Sequence, residues 1–214
     1  MLSAGAVEAT VSFIEELLPS RNVIAEKAGP GEAVVVLGGH YDTVPGIAGT
    51  NYNASGTAVL LTLAGDLAGE DLSFTVRFIA FGSEDLGLRG SGHYVASLTG
   101  TQVDRIRAMF NFDAPGSGEM LGVLGTRKLT DLTVAQGEAQ DIDVKVSPGL
   151  QGGSSYHQSF VAAGIPVLMF FSEDFPRIHT PADTLEFVDL SLLGDAIELA
   201  LFLLKSDDFL TALK

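Results

Sequence analysis

The chain reads as an α/β protein: a three-layer sandwich around a mostly parallel, mixed central sheet. Three observations predict this. Short, largely apolar runs recur, AVVVLGG (33–39), FTVRFIAF (74–81), IRAMFNF (106–112) and PVLMFF (166–171), as strands covered on both faces require. Helix-like segments alternate with them, which is the order of a layered α/β domain. Twenty-five glycines in 214 residues mark the many turns that such an order needs.

The elements follow along the chain. Val7, Val11, Ile14 and Leu18 share one helical face, so the spacing predicts an amphipathic helix over 6–18. NVIAE (22–26) begins the sheet, followed by strands at 33–39, 74–81, 106–112 and 166–171. Helices are expected at 56–68, 88–98, 155–163 and 190–204. The stretch from Glu119 to Gly153 offers only short strands and one helix. With no repeat, linker or low-complexity tract, residues 1–214 read as a single domain, with an N-terminal helix within 1–20 packed on it.

A net charge of −15 argues against a nucleic-acid partner, which calls for a basic stripe. The absence of cysteine rules out disulfides, thiolate metal ligands and cysteine nucleophiles. No apolar stretch has the length of a membrane span, so no membrane partner is expected, and the first ten residues lack the pattern of a secretion signal. Cellular location and oligomeric state stay open.

Five segments bring chemically able side chains to the ends of the apolar runs. GGHYDTVPG (38–46) and IHTPADT (178–184) each place a histidine near an aspartate: His40 with Asp42, and His179 with Asp183. A neutral imidazole ligates metals, and a nearby carboxylate can hold its ring in the ligating tautomer. The plain alternatives are a hydrogen-bonded strand-end histidine for His40 and a turn with a helix cap for HTPADT. SEDLGLRGS (83–91) presents Glu84 and Asp85 together. A solvated acidic turn is one reading; the other makes Asp85 a metal ligand and Glu84 the base that moves a proton from water to a leaving amine. FNFDAPG (110–116) ends a very apolar strand on Asp113, and an acid so placed needs a partner. His157 in SSYHQSF (154–160) lines the crevice without binding metal, whereas His93 reads as a surface residue. Ligands of open α/β sheets bind outside the carboxyl ends of the strands, where these residues gather.

In this order the motifs HYD, NYNASG, SEDLGLRGS, NFD and HTPADT, with SSYHQSF and GIP, resemble those of the zinc-dependent aminopeptidase family. That family includes secreted bacterial aminopeptidases, glutaminyl cyclases and non-catalytic relatives such as transferrin-receptor ectodomains. The resemblance runs from about Asn22 to the C-terminus and implies the zinc-peptidase, phosphorylase/hydrolase-like fold. It also implies two zinc ions, one held by His40 and Asp113, the other by Asp85 and His179, with Glu84 as general base and a peptide as substrate. Asp42, Asp183, His157 and Tyr156 are expected around these ligands, Tyr156 at a position where the family has an acid.

The chain departs from the family pattern where it matters most. The aspartate that bridges the two metals is replaced by Tyr52, a second acid is replaced by Tyr156, the ligand glutamate is the shorter Asp85, and Ile178 stands where a tyrosine is common. Ionising a free phenol at pH 7 costs about 4 kcal/mol, an amount that direct coordination can supply. A ring is nonetheless a poor substitute for a two-oxygen arm, and catalytic zinc usually has three protein ligands. One zinc, or weak occupancy, is therefore expected. The resemblance implies an aminopeptidase; the alternative is a catalytically impaired or non-catalytic homologue that binds through the same cleft. A glutaminyl cyclase fits less well, because its pocket leans on tryptophan and this chain has none.

Overall fold

A computed structural model describes residues 19–150, 153–206 and 209–213. The helix expected at 6–18 lies outside the described residues. Seven strands form one sheet: β1 (Val23–Lys27), β2 (Val34–His40), β3 (Thr75–Phe81), β4 (Ile106–Phe112), β5 (Leu121–Gly125), β6 (Val144–Val146) and β7 (Val167–Ser172). Their order is β1-β3-β2-β4-β7-β5-β6. The centre, β3-β2-β4-β7, is parallel; β1 joins β3 and β5 joins β7 antiparallel, so the sheet is mixed as expected.

Among the described residues seven α-helices accompany it: α1 (Gly56–Leu67), α2 (Arg89–Ser97), α3 (Gly100–Arg105), α4 (Arg127–Gln140), α5 (His157–Ala162), α6 (Leu190–Lys205) and α7 (Phe209–Ala212). Side-chain alternation along the strands decides which layer each residue feeds. Val35 and Leu37 of β2 and Phe110 and Phe112 of β4 face α1, α4 and α6. Val34 and Val36, with Ile79, Phe81 and Met109, face Tyr94 of α2 and Phe160 of α5. The result is helix–sheet–helix layering, with β2 buried at every residue. Among the described residues no helix is long and apolar enough to cross a membrane.

The segment 119–153 resolves into β5, the fourteen-residue α4 and the three-residue β6. Two short helices, α3 and α7, are absent from the sequence-based expectation. The polar residues at the carboxyl ends of β2, β3, β4 and the loop after β7 all emerge on one edge of the sheet, and there the site is found.

Candidate metal centre

His40 closes β2 and is fully buried. Its Nδ1 lies 2.9 Å from the backbone carbonyl of Asp42, so Nδ1–H donates there and Nε2 faces the cleft. There Nε2 meets Asp113 Oδ1 at 3.4 Å, two groups that attract each other only through a shared proton or cation. Burial alone would lower the His40 pKa, but the Asp113 carboxylate, with Glu84 nearby, outweighs it and raises it. The same pairing overcomes the burial of Asp113 and keeps its carboxyl below the usual range.

A second pair stands opposite. His179 Nε2 is 3.7 Å from Asp85 Oδ1, and Asp85 Oδ2 is buried without a hydrogen-bond partner. Two donors on one tetrahedral zinc lie about 3.3 Å apart, given ligand distances near 2.0 Å. Both pairs are close to that spacing and too long for strong hydrogen bonds. Their chemistry, one imidazole and one carboxylate each, suits zinc, and an orphaned buried oxygen in the second pair fits a cation as its partner. Each pair lacks a third donor: among the described residues no three His, Cys, Asp or Glu side chains form a metal-binding group.

Tyr52 occupies the space between the pairs. Its ring centre is 4.5 Å from that of His40 and 4.3 Å from that of His179, edge to face with both. The hydroxyl donates to Glu84 Oε2 and stands 3.2 Å from Asp85 Oδ1. Burial, then the surrounding carboxylates, pushes the phenol pKa far up, so Tyr52 is neutral here. Glu84 is buried as well; burial raises its pKa to about 7, although the Tyr52 hydrogen bond and the His40 charge pull the other way.

The backbone around Tyr52 is tied down from three sides. Asp183 accepts the N–H groups of Asn51 (2.6 Å) and Tyr52 (3.0 Å). Asn53 donates to the Phe112 carbonyl and accepts from Ala114 N–H, and Asn51 accepts from Gly116 N–H. Gly56 must be glycine, because a Cβ there would sit 2.3 Å from the Phe112 carbonyl oxygen. Three non-glycine residues with left-handed backbone, Ser83, Ala114 and His179, flank or form the site, where such strain is commonly held.

The supporting residues are placed as follows. Asp42 serves His40 with its carbonyl, while its carboxylate accepts the Glu84 N–H at 2.7 Å and so fixes the start of the acidic turn. Asp183 was expected to steady His179; its carboxylate instead holds the 51–52 backbone. The 180–184 segment forms turns, not a helix that would stack the two residues. Tyr156 stacks on Phe81 in the core with its hydroxyl unpartnered, and burial raises its pKa. His157 is buried, which lowers its pKa, and lines a neighbouring cavity of about 510 Å³ with Thr126 and Val167. A second cavity, about 380 Å³, opens beside Tyr52, His179 and Ile178; Met169, Phe171 and Phe175 make its wall apolar. These last three were not picked out from the sequence, since no periodicity links residues on β7 and its following loop.

Residues 22–204 match the model of Peptidase family M28. Aminopeptidase YwaD of Bacillus subtilis is 35% identical over 184 residues, covering 79% of this chain and 40% of that protein. A probable leucine aminopeptidase 2 of Aspergillus fumigatus is 34% identical, covering 78% and 36%. Among solved structures, the zinc aminopeptidase BSAP from Bacillus subtilis superposes with a TM-score of 0.77 at 33% identity, over 85% of this chain and 49% of that one. An Acidobacteriales glutaminyl cyclase, at 22% identity and a TM-score of 0.75, shares the fold. The chain thus spans less than half of each of these three aminopeptidases. With the family model covering most of its length and the site built from the motifs described above, the chain belongs to peptidase family M28.

Proposed function

We propose that this chain is an aminopeptidase-type hydrolase domain that acts on the first peptide bond of a peptide, with Glu84 as general base. One observation carries the reading: two imidazole–carboxylate pairs, His40/Asp113 and Asp85/His179, face each other at metal-ligand spacing around a buried Glu84. His40 and Asp113 would hold one zinc ion, Asp85 and His179 another. The chemistry that zinc supplies when bound is polarisation of the scissile carbonyl and a lowered pKa for water.

The protein's own part begins with Glu84. A carboxyl near 7 is ionised often enough at neutral pH to accept a proton from the attacking water, and acidic enough afterwards to pass it to the departing amine. Asp42 orients this base by holding its N–H. The apolar cavity of Met169, Phe171, Phe175 and Ile178 gives the first side chain of the peptide a dry seat, and the surrounding carboxylates favour its ammonium group.

A second reading, a non-hydrolytic domain that binds peptide ends, is favoured by the Tyr52 hydroxyl, which sits on Glu84 where water would have to be. Hydrolysis of aminoacyl amides by the zinc-supplemented chain, with and without Glu84→Gln, separates the two. Hydrolysis that vanishes with Glu84→Gln while zinc content is unchanged supports the peptidase. Hydrolysis that survives the substitution means another base, and none in any variant, a zinc-loaded Tyr52→Asp chain included, favours the binding domain.

A further inference from the structure

We propose that Tyr52 is a stopper built into this site: its ring wedges the two imidazole–carboxylate pairs apart and its hydroxyl occupies the seats on Glu84 and Asp85. The chain as it stands therefore takes up zinc weakly, and removing this one side chain opens the centre. The inference rests on reading the two pairs as a metal site.

Geometry makes the case. A ring in edge-to-face contact with both His40 and His179 fills the space between the two imidazoles. Only 6% of the residue is exposed, so the ring is packed into the site and does not hang over it. Nor is a small loop shift available to withdraw it, because Asp183 and Asn53 fasten the backbone on either side.

The hydroxyl completes the effect. Buried Glu84 and Asp113, with the partly exposed Asp85 beside them, crowd negative charge together, which without a cation is costly. Tyr52 relieves part of that cost with a neutral donor aimed at Glu84. A bridging carboxylate in its place would add charge and two ligand oxygens, and would make the cluster depend on metal. With tyrosine the cluster is settled without metal, while the phenol offers a bound ion little unless it loses its proton among three acids. The same contact denies Glu84 to water. One residue thus withholds the third ligand, the space and the base together.

The test is zinc affinity, measured by equilibrium dialysis on the full chain for wild type, Tyr52→Phe, Tyr52→Ala and Tyr52→Asp, with melting curves in chelator and in zinc. Even partners one step removed from metal ligands change affinity roughly 10–100-fold, so Tyr52→Asp should bind zinc on the order of 100-fold tighter than wild type or better. Tyr52→Phe keeps the ring and should stay near wild type; Tyr52→Ala clears the space without adding a ligand and should fall between. Zinc should raise the melting temperature of Tyr52→Asp but hardly that of wild type. Equal affinity in wild type and Tyr52→Asp, or a folded Tyr52→Asp that binds no zinc, overturns the stopper. If Tyr52→Asp does not fold, wild type and Tyr52→Ala with equal affinity overturn it in the same way, and tighter binding by Tyr52→Ala supports it. A Tyr52→Asp chain that binds two zinc ions yet hydrolyses nothing leaves the stopper standing and removes the peptidase reading.

Discussion

The two halves of the site are built from the same residue types and are not equivalent. His40 and Asp113 sit at the ends of neighbouring parallel strands, essentially without solvent access, and the His40 ring is fixed by the Asp42 carbonyl. Asp85 and His179 stand on loops after β3 and β7; the His179 side chain is 47% exposed, with its backbone in the left-handed region. The inner pair is held by the sheet whatever the cleft contains. The outer pair is positioned by turns, and Tyr52 leans on it. A centre of this design is preformed on one side and adjustable on the other, so changes at the two halves should have different consequences.

The largest effect expected is on rate. In a Tyr52→Asp background, Glu84→Gln should lower hydrolysis about 10²–10⁴-fold, as loss of a general base does, with zinc binding unchanged. A smaller loss would mean that another group supplies the base. Next is stability at the inner half. His40→Ala leaves the buried Asp113 carboxylate unpaired and should cost about 3–5 kcal/mol in urea titrations. Asp183→Asn replaces one of the two acceptors of the Asn51 and Tyr52 N–H groups and should cost about 1.5–3 kcal/mol.

A smaller effect concerns pH. The Glu84 pKa lies near 7 in the fold against 4.5 for the free group, so the folded state binds the proton more tightly. Its contribution to stability should fall as pH rises from about 4.5 to about 7, and Glu84→Gln should flatten that part of the melting-temperature profile relative to wild type. A difference profile with the opposite slope would contradict the burial of this carboxyl. Smallest is His179→Ala, which breaks a half-exposed pair and should cost under about 1 kcal/mol without metal. Equal losses for His40→Ala and His179→Ala would erase the distinction between the halves.

Much of this was legible in the sequence because the central strands are largely apolar and β2, β3 and β4 end on or just before a polar residue. His40, Glu84, Asp85 and Asp113 could be placed on one edge for that reason. What stayed hidden has physical causes. The buried stripe of α4 consists of Leu129, Thr130, Thr133 and Gly137, which carries almost no hydrophobic period. Helix α3 buries nothing and betrays itself solely by the Thr99–Gln102 capping box. Asp183 lies four residues from His179, a spacing that suggests partnership, yet its partners are 131 and 132 residues away. NYNASG implies Tyr52 at the position the family uses for a bridge; that its hydroxyl reaches Glu84 depends on how β3 and the 50–55 turn pack.

The most direct measurement is a zinc-edge anomalous difference map from crystals of the wild-type chain and of Tyr52→Asp, both soaked in zinc. The account predicts two peaks in Tyr52→Asp, one shared by His40 and Asp113 and one by Asp85 and His179, and none at those places in wild type. Peaks at both pairs in the wild-type crystals, with Tyr52 in place, would contradict it.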